Sequence, residues 1–241
     1  MKCVAGHQPN LYPYGGFFAK VSSVDQFVIV ENTQYVKKQY HNRNRIKLFN
    51  GDVKWLSTPV LTKGCFKQNI NEAEIDKRKN WTHRHRQTLL YNYKTAPFFD
   101  SIFPELDQLL AKEWKYISEF SIACIKLFLK MLAIETPVVI ASEMEISGKS
   151  TGLILDICKK TNADAYLHGK HSRDYVDFDF LKKHGITNYI QDFHAIKYPQ
   201  TSGEFSENLS ILDILFNCGK ERASKILKKG NKITMLATYR A

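Results

Sequence analysis

Apolar positions along the chain follow two rhythms, one of period two and one of period 3.6. The β-branched runs "FVIV" at 27–30 and "PVVIAS" at 137–142 predict buried strands. So do "CVAG" at 3–6, "DAYLHG" at 164–169 and "TNYIQDF" at 187–193, with a further strand at "VKWLSTPVL", 53–61. Between the first two strands, "GGFFAKVSSVD" at 15–25 puts Phe17, Phe18 and Val21 on one helical face. Strand, turn, helix, strand is the unit of a parallel sheet. Helices are predicted at 78–96, stopped near Pro97, and at 147–162, with a Ser/Thr-rich start. Two more are predicted at 178–185, ended by Gly185, and at 210–219, stopped by Gly219. The strongest helical spacing runs over 104–134, through Leu106, Leu109, Leu110, Trp114, Ile117 and Phe120, with Pro104 suited to a helix start. Strands and helices alternate over the first fifty residues and over 137–193. The expected fold is therefore α/β: a parallel or mostly parallel Rossmann-like sheet flanked by helices, with a mainly helical insertion at about 77–135. One domain over 1–241 is expected.

Composition narrows this picture. The chain has 241 residues, 44% hydrophobic and 24% charged, in keeping with a soluble globular protein with a sizeable core. No apolar run approaches the roughly 20 residues that span a bilayer. "MKCVAGHQPN" lacks the apolar stretch of a secretion signal, so a cytoplasmic location is expected. Cysteines at 3, 65, 124, 158 and 218 form no C-x-x-C pair and predict reduced thiols, not a disulfide framework or a zinc site. The net charge of +11, gathered in "KKQYHNRNRIK", "DKRKNWTHRHR" and "KERASKILKKGNK", favours an anionic partner over a neutral one. No recognised nucleic-acid module accompanies that charge.

Ligands of parallel α/β sheets sit at the carboxyl ends of strands. Three polar groups fall there: His7-Gln8-Pro9-Asn10, Glu31-Asn32-Thr33-Gln34, and His168-Gly169 with "KHSRDY" after it. His7 can act as general acid or base, or can cap a neighbouring carbonyl. Asn32 and Gln34 can bind hydroxyls or amides, or Asn32 can close an Asx turn. In "HNRNRIK" an extended backbone would put Arg43 and Arg45 on one face and Asn42 and Asn44 on the other. Paired guanidinium groups grip phosphate or carboxylate, and Tyr35 and Tyr40 nearby could stack a base or sugar. "SGKST" at 147–151 lacks the earlier glycine of a phosphate-binding P-loop and reads as a helix cap. His168 and His171 on a loop do not specify a metal site, and none is expected. Arg173 and Asp174 could contact a ligand or pair with each other. No nucleophile elbow, dinucleotide fingerprint or H-E-x-x-H motif is present.

"GHQPNLYPYGGFFAKV", "ENTQYVKKQYHNRNRIK", "DAYLHGKHSRDYVD" and "LSILDILFNCG", in this order, resemble the WbqC-like family over about residues 4–220. The family pattern matches at His7, Gln8, Pro9, Pro13 and Lys20, then at Gln34, Lys37, Asn42, Arg43 and Asn44. It matches again at Gly169, Tyr175, Asp177, Ser210, Asp213 and Asn217. The chain departs from it at Lys170 and His171, where the family carries small residues. The resemblance implies an acyl or aminoacyl transferase acting on nucleotide-linked amino sugars in surface polysaccharide biosynthesis of the O-antigen type, part of lipopolysaccharide. A second resemblance, in layout alone, is to pantothenate-synthetase-like nucleotidyltransferases. Those use two histidines at the first turn, where this chain has Gly15 and Gly16 in place of the second.

The leading expectation is a group-transfer enzyme with an unidentified acyl or aminoacyl donor. His7 is its base, with Asp174 assigned to the catalytic set and to orienting the sugar beside Asn32 and Gln34. Arg43, Arg45 and Lys37 hold the diphosphate. Gln8, Asn10, Lys20, Asn42, Asn44, His168, Gly169, Arg173 and Tyr175 complete the expected site. The rivals are an ATP-using nucleotidyl or adenylyl transferase or amide ligase, and a non-catalytic nucleic-acid-binding protein. The residues name no cofactor.

Overall fold

The computed structural model of the chain describes residues 1–65 and 67–236. Within them five of the expected strands, joined by a sixth at 231–235 that the sequence did not mark, form a six-stranded sheet in the order β5-β2-β1-β6-β7-β8, while the strand expected over 53–61 lies in a separate hairpin. The strands are β1 (Cys3–His7), β2 (Gln26–Ile29), β5 (Val138–Ile140), β6 (Ala165–Gly169), β7 (Thr187–Phe193) and β8 (Asn231–Met235). All neighbours run parallel except β8, which returns antiparallel to β7. Taken in chain order these six strands have the Rossmann order 3-2-1-4-5-6. The reading as a mostly parallel α/β sheet flanked by helices is borne out.

Period-two burial explains why both faces are covered. Ala5, Phe27 and Ile29 pack into a core with α1 (Gly15–Val21), α4 (Ile117–Met131) and α7 (Ile211–Gly230). Val4, Val28, Val30 and Tyr166 pack on the other face, against α5 (Ser150–Thr161) and α6 (Phe178–Lys183). The stretch between β2 and β5 carries a separate antiparallel hairpin, β3 (Arg43–Lys47) with β4 (Val53–Ser57), and the helices α2 (Trp81–Tyr93), α3 (Phe99–Leu110) and α4.

Three expectations are corrected. The continuous helix over 104–134 is two helices, α3 and α4. The Trp114 indole N–H folds back to donate to the Leu109 carbonyl (2.8 Å), and Glu119 accepts the Tyr116 N–H at the start of α4. The apolar spacing carries through the bend because both helices face the same core. Pro104 does not start a helix; it lies inside α3, which begins at Phe99. There its missing N–H removes one bond, to the Asp100 carbonyl. Gly219 interrupts α7 at φ +72° and ψ 172°, but the chain turns helical again as far as Gly230 and then adds β8.

That backbone conformation belongs to glycine. A Cβ at position 219 would lie 2.7 Å from the Phe98 ring. Gly219→Ala is expected to cost about 2–3 kcal/mol, and to lower the melting temperature by ~4–10 °C in calorimetry. An unchanged melting temperature would contradict this account of the kink.

Candidate functional site

The sheet splits at its topological switch point. The β1–β6 ladder ends at Val4 opposite Tyr166, whereas β1–β2 continues to His7 and β6–β7 to Gly169. Gly6, two residues beyond Val4, turns its N–H and C=O toward β6, as alternation requires. The N–H donates to the Tyr166 hydroxyl (3.0 Å), and the C=O accepts from Lys20 Nζ (3.4 Å). Two side chains thus stand in for the missing strand contact. A Cβ on Gly6 would meet Ile157 Cδ1 at 3.0 Å and the Tyr166 hydroxyl at 3.1 Å, so a larger residue would have to push these side chains back. Beyond the split lies a crevice of about 960 Å³.

His7, at the end of β1, forms part of the crevice floor. Its Nδ1 is 2.8 Å from the Gln8 carbonyl oxygen, which only accepts, so Nδ1 carries the hydrogen and Nε2 is bare. The ring sits edge-on to Phe17, with centroids 5.3 Å apart. Burial, helped by the Lys20 charge, lowers its pKa to about 4. Gln8 fixes the turn: its amide donates to Thr33 Oγ1 (2.9 Å), and its carbonyl accepts from His41 Nε2 (2.9 Å). His41 Nδ1 in turn accepts the Val36 N–H, so one tautomer satisfies both bonds. Pro9 and Asn10 follow, and Asn10 faces the crevice.

Arg45 reaches the opposite wall, donating to the carbonyls of Asn208 (3.1 Å) and Glu207 (3.4 Å). Ser150 at the start of α5, Gly169, Lys170, His171 and Tyr175 border the crevice on the β6 side. Lys149 at the N-cap of α5 offers no side-chain bond, so the helix starts beside this border without a side-chain cap. Lys170 pairs with Asp192 at 3.3 Å, and Asp192 also accepts from His194.

The structure therefore gathers His7, Gln8, Asn10, Lys20, Arg45, Gly169 and Tyr175 around one crevice. It places the other expected residues elsewhere. Arg43 shares its strand face with Arg45, but its guanidinium lies 4.0 Å over the Trp55 ring and donates to the Lys38 carbonyl. Asn42 donates to the Thr58 carbonyl on the hairpin's other side (2.6 Å). Asn44 is buried and ties β3 to the Leu11 and Tyr12 carbonyls. Asn32 binds the Ile146 carbonyl (2.7 Å). Gln34 bridges to Asn69 along the backbone, and Lys37 is exposed away from the crevice. His168 is buried between Tyr166 and Phe178 and donates from Nε2 to Asn188 (2.8 Å). Arg173 and Asp174 are exposed on a 3-10 turn, outside the crevice lining. Sequence reasoning did not single out His41, Tyr166, Gln191, Asp192 or Asn208. Gln191 and Asp192 lie near the end of β7 and were reachable by the strand-end rule. Tyr166 sits inside a strand and carried no signal.

Ser210, Asp213 and Asn217 support the site from beneath. Ser210 caps α7 by accepting the Leu212 N–H, and its own N–H donates to the Arg45 carbonyl. Asp213, fully buried, accepts the Tyr93 and Tyr198 hydroxyls at 2.8 Å each. Asn217 accepts the Thr201 hydroxyl and donates to the Asp213 carbonyl. These bonds hold β3, and with it Arg45, against α7.

No helix among the described residues is long and apolar enough to cross a membrane. Among them no group of three or more His, Cys, Asp or Glu side chains is placed to hold a metal ion.

The model of the WbqC-like protein family matches residues 8–225. A curated relative, "Uncharacterized protein Rv1507c" of Mycobacterium tuberculosis (strain ATCC 25618 / H37Rv), is 33% identical over 223 residues, covering 92% of this chain and 96% of its own. No solved structure matches the chain.

Proposed function

Because the chain belongs to the WbqC-like protein family, we propose that it is a cytoplasmic group-transfer enzyme of surface polysaccharide biosynthesis. It moves an acyl or aminoacyl group onto a nucleotide-linked amino sugar. The observation that carries this reading is the bare Nε2 of His7, held on the floor of a crevice bordered by fixed cations. In the reaction the sugar amine attacks the donor's carbonyl carbon. A C–N bond forms, and the bond from that carbon to the leaving group breaks, its electron pair going to the leaving group. The amine proton passes to His7 Nε2 and from there to the leaving group. A weakly basic imidazole suffices, because an amine nitrogen becomes strongly acidic once bonded to the carbonyl carbon. Arg45 and the uncapped N–H groups of α5, with Lys170, take the nucleotide's phosphates. Gln8 and Asn10 offer amides to the sugar.

The test is direct. The purified protein is offered a panel of nucleotide amino sugars with thioester or acyl phosphate donors, and products are read by mass spectrometry. Acylated sugar is the expected product. Absence of product, together with calorimetry showing no nucleotide sugar bound, would end this reading.

The α5 border supports a second reading, an ATP-using nucleotidyl or adenylyl transferase, since a helix N-terminus suits a triphosphate equally well. It requires saturable ATP binding by calorimetry, and a silent titration removes it.

A further inference from the structure

Lys20 is an oddity among the crevice residues. It sits on α1, is only 5% exposed and still borders the crevice. Its ammonium's only hydrogen bond among the described residues is the long one to the neutral Gly6 carbonyl, and no carboxylate there lies within ion-pair distance. The one acid among the described residues of the crevice wall, Asp192, is already held by Lys170 and His194. The titratable groups that feel Lys20 are Cys3 and His7 on β1 and His168 on β6. All three are neutral near pH 7: burial lowers both imidazoles to about 4 and raises the Cys3 thiol to about 11. A buried ammonium with no counter-charge is costly unless an anion pairs with it or it gives up its proton.

We infer that Lys20 is the counter-charge for an anionic group, carboxylate or phosphate, that enters the floor of the crevice. The inference deepens the transfer reading and rests on it for one point only. With the nucleotide's phosphates at the rim, the floor takes the anionic end of the second substrate, beside the His7 base. Burial lowers the Lys20 pKa to about 8, so part of its charge is lost under mildly alkaline conditions and a bound anion restores it.

Proton uptake on binding reads this out on the unaltered protein. Acetate and inorganic phosphate are titrated by calorimetry at about pH 8.5, in two buffers of different ionisation enthalpy. Binding is expected to draw in about half a proton or more, and almost none near pH 6, where Lys20 is already charged. Uptake with acetate assigns the floor to a carboxylate, and uptake with phosphate assigns it to a phosphoryl group. Lys20→Met should weaken that anion at least tenfold and abolish the uptake. Lys20→Arg should keep the affinity without the uptake. No binding of either anion, binding without proton uptake, or Lys20→Met binding like the parent protein would each overturn the assignment. Failure of the transfer reading shows separately, as missing acylated product while proton-coupled anion binding persists.

Discussion

Replacing His7 by Ala is expected to lower turnover about 10²–10⁴-fold, the range for losing a positioned general base. The expectation follows from how the ring is held. Its Nδ1–H is anchored on the Gln8 carbonyl and Phe17 packs edge-on against it, so the ring has one orientation and one tautomer. Nε2 makes no hydrogen bond to any described residue, and it lies in the crevice where an amine would arrive. The effect should fall on kcat, with KM changed little, because Arg45 and the α5 border, not His7, hold the nucleotide in this scheme. The pH profile is a sharper check. With a pKa lowered to about 4, His7 remains unprotonated throughout the neutral range. The rate should therefore show no inflection near 6.5, where an ordinary histidine titrates. His7→Gln, which keeps a polar group but no titratable nitrogen, should be as slow as the alanine variant. Turnover like the parent's in either variant would remove His7 from the chemistry.

The second large effect is acid unfolding. Four imidazoles, of His7, His41, His85 and His168, are each lowered from 6.5 to about 4, with burial as the main cause. In the unfolded chain they titrate near 6.5. Between those two values the unfolded state binds protons that the native state refuses. Stability conferred by the neutral rings is thus fully present above pH 6.5 and drains away as pH falls toward 4. Each group contributes at most about 1.4 kcal/mol per pH unit. Over the interval from 6.5 to about 4 the loss from four such groups is comparable to a typical total stability of about 5–15 kcal/mol. Asp213 works the other way: burial raises its pKa, so protonation in the folded state partly offsets the loss. Melting temperatures followed by circular dichroism from neutral pH downward should drop steeply once below 6.5. A melting curve that does not move down to about pH 4 would mean these rings are protonated in the folded protein, and that the burial argument fails.

The two expectations share a physical root. Gln8 orders the turn that aims His7, and it does so through His41, one of the acid-sensitive rings. His168 packs against Tyr166, whose hydroxyl bridges β6 to the Gly6 N–H of β1. Acid that charges the supporting rings should therefore disturb the crevice early in unfolding.

What the sequence by itself determined is local. Short apolar runs bounded by turn residues marked β1, β2, β5, β6 and β7, because a strand buried on both faces has few other ways to be written. The alternation with helices then implied parallel order, since right-handed crossovers leave little choice. The strand-end rule placed His7, Gln8, Asn10 and Gly169 near a crevice for the same reason. Helix boundaries were less legible. The bend at Trp114 and the resumption of α7 after Gly219 leave the apolar spacing intact, and spacing was the signal being read. Tertiary structure alone decided the rest. It sent the Arg45 guanidinium to the crevice wall and the Arg43 guanidinium onto Trp55, although both share one strand face. It placed Asn32, Asn42 and Asn44 on backbone carbonyls. It also left Lys20 without a counter-charge and bridged the split in the sheet through a tyrosine that any buried strand could contain. Whether a polar side chain meets a ligand or a carbonyl depends on which distant segment lies beside it, and one-dimensional spacing does not encode that.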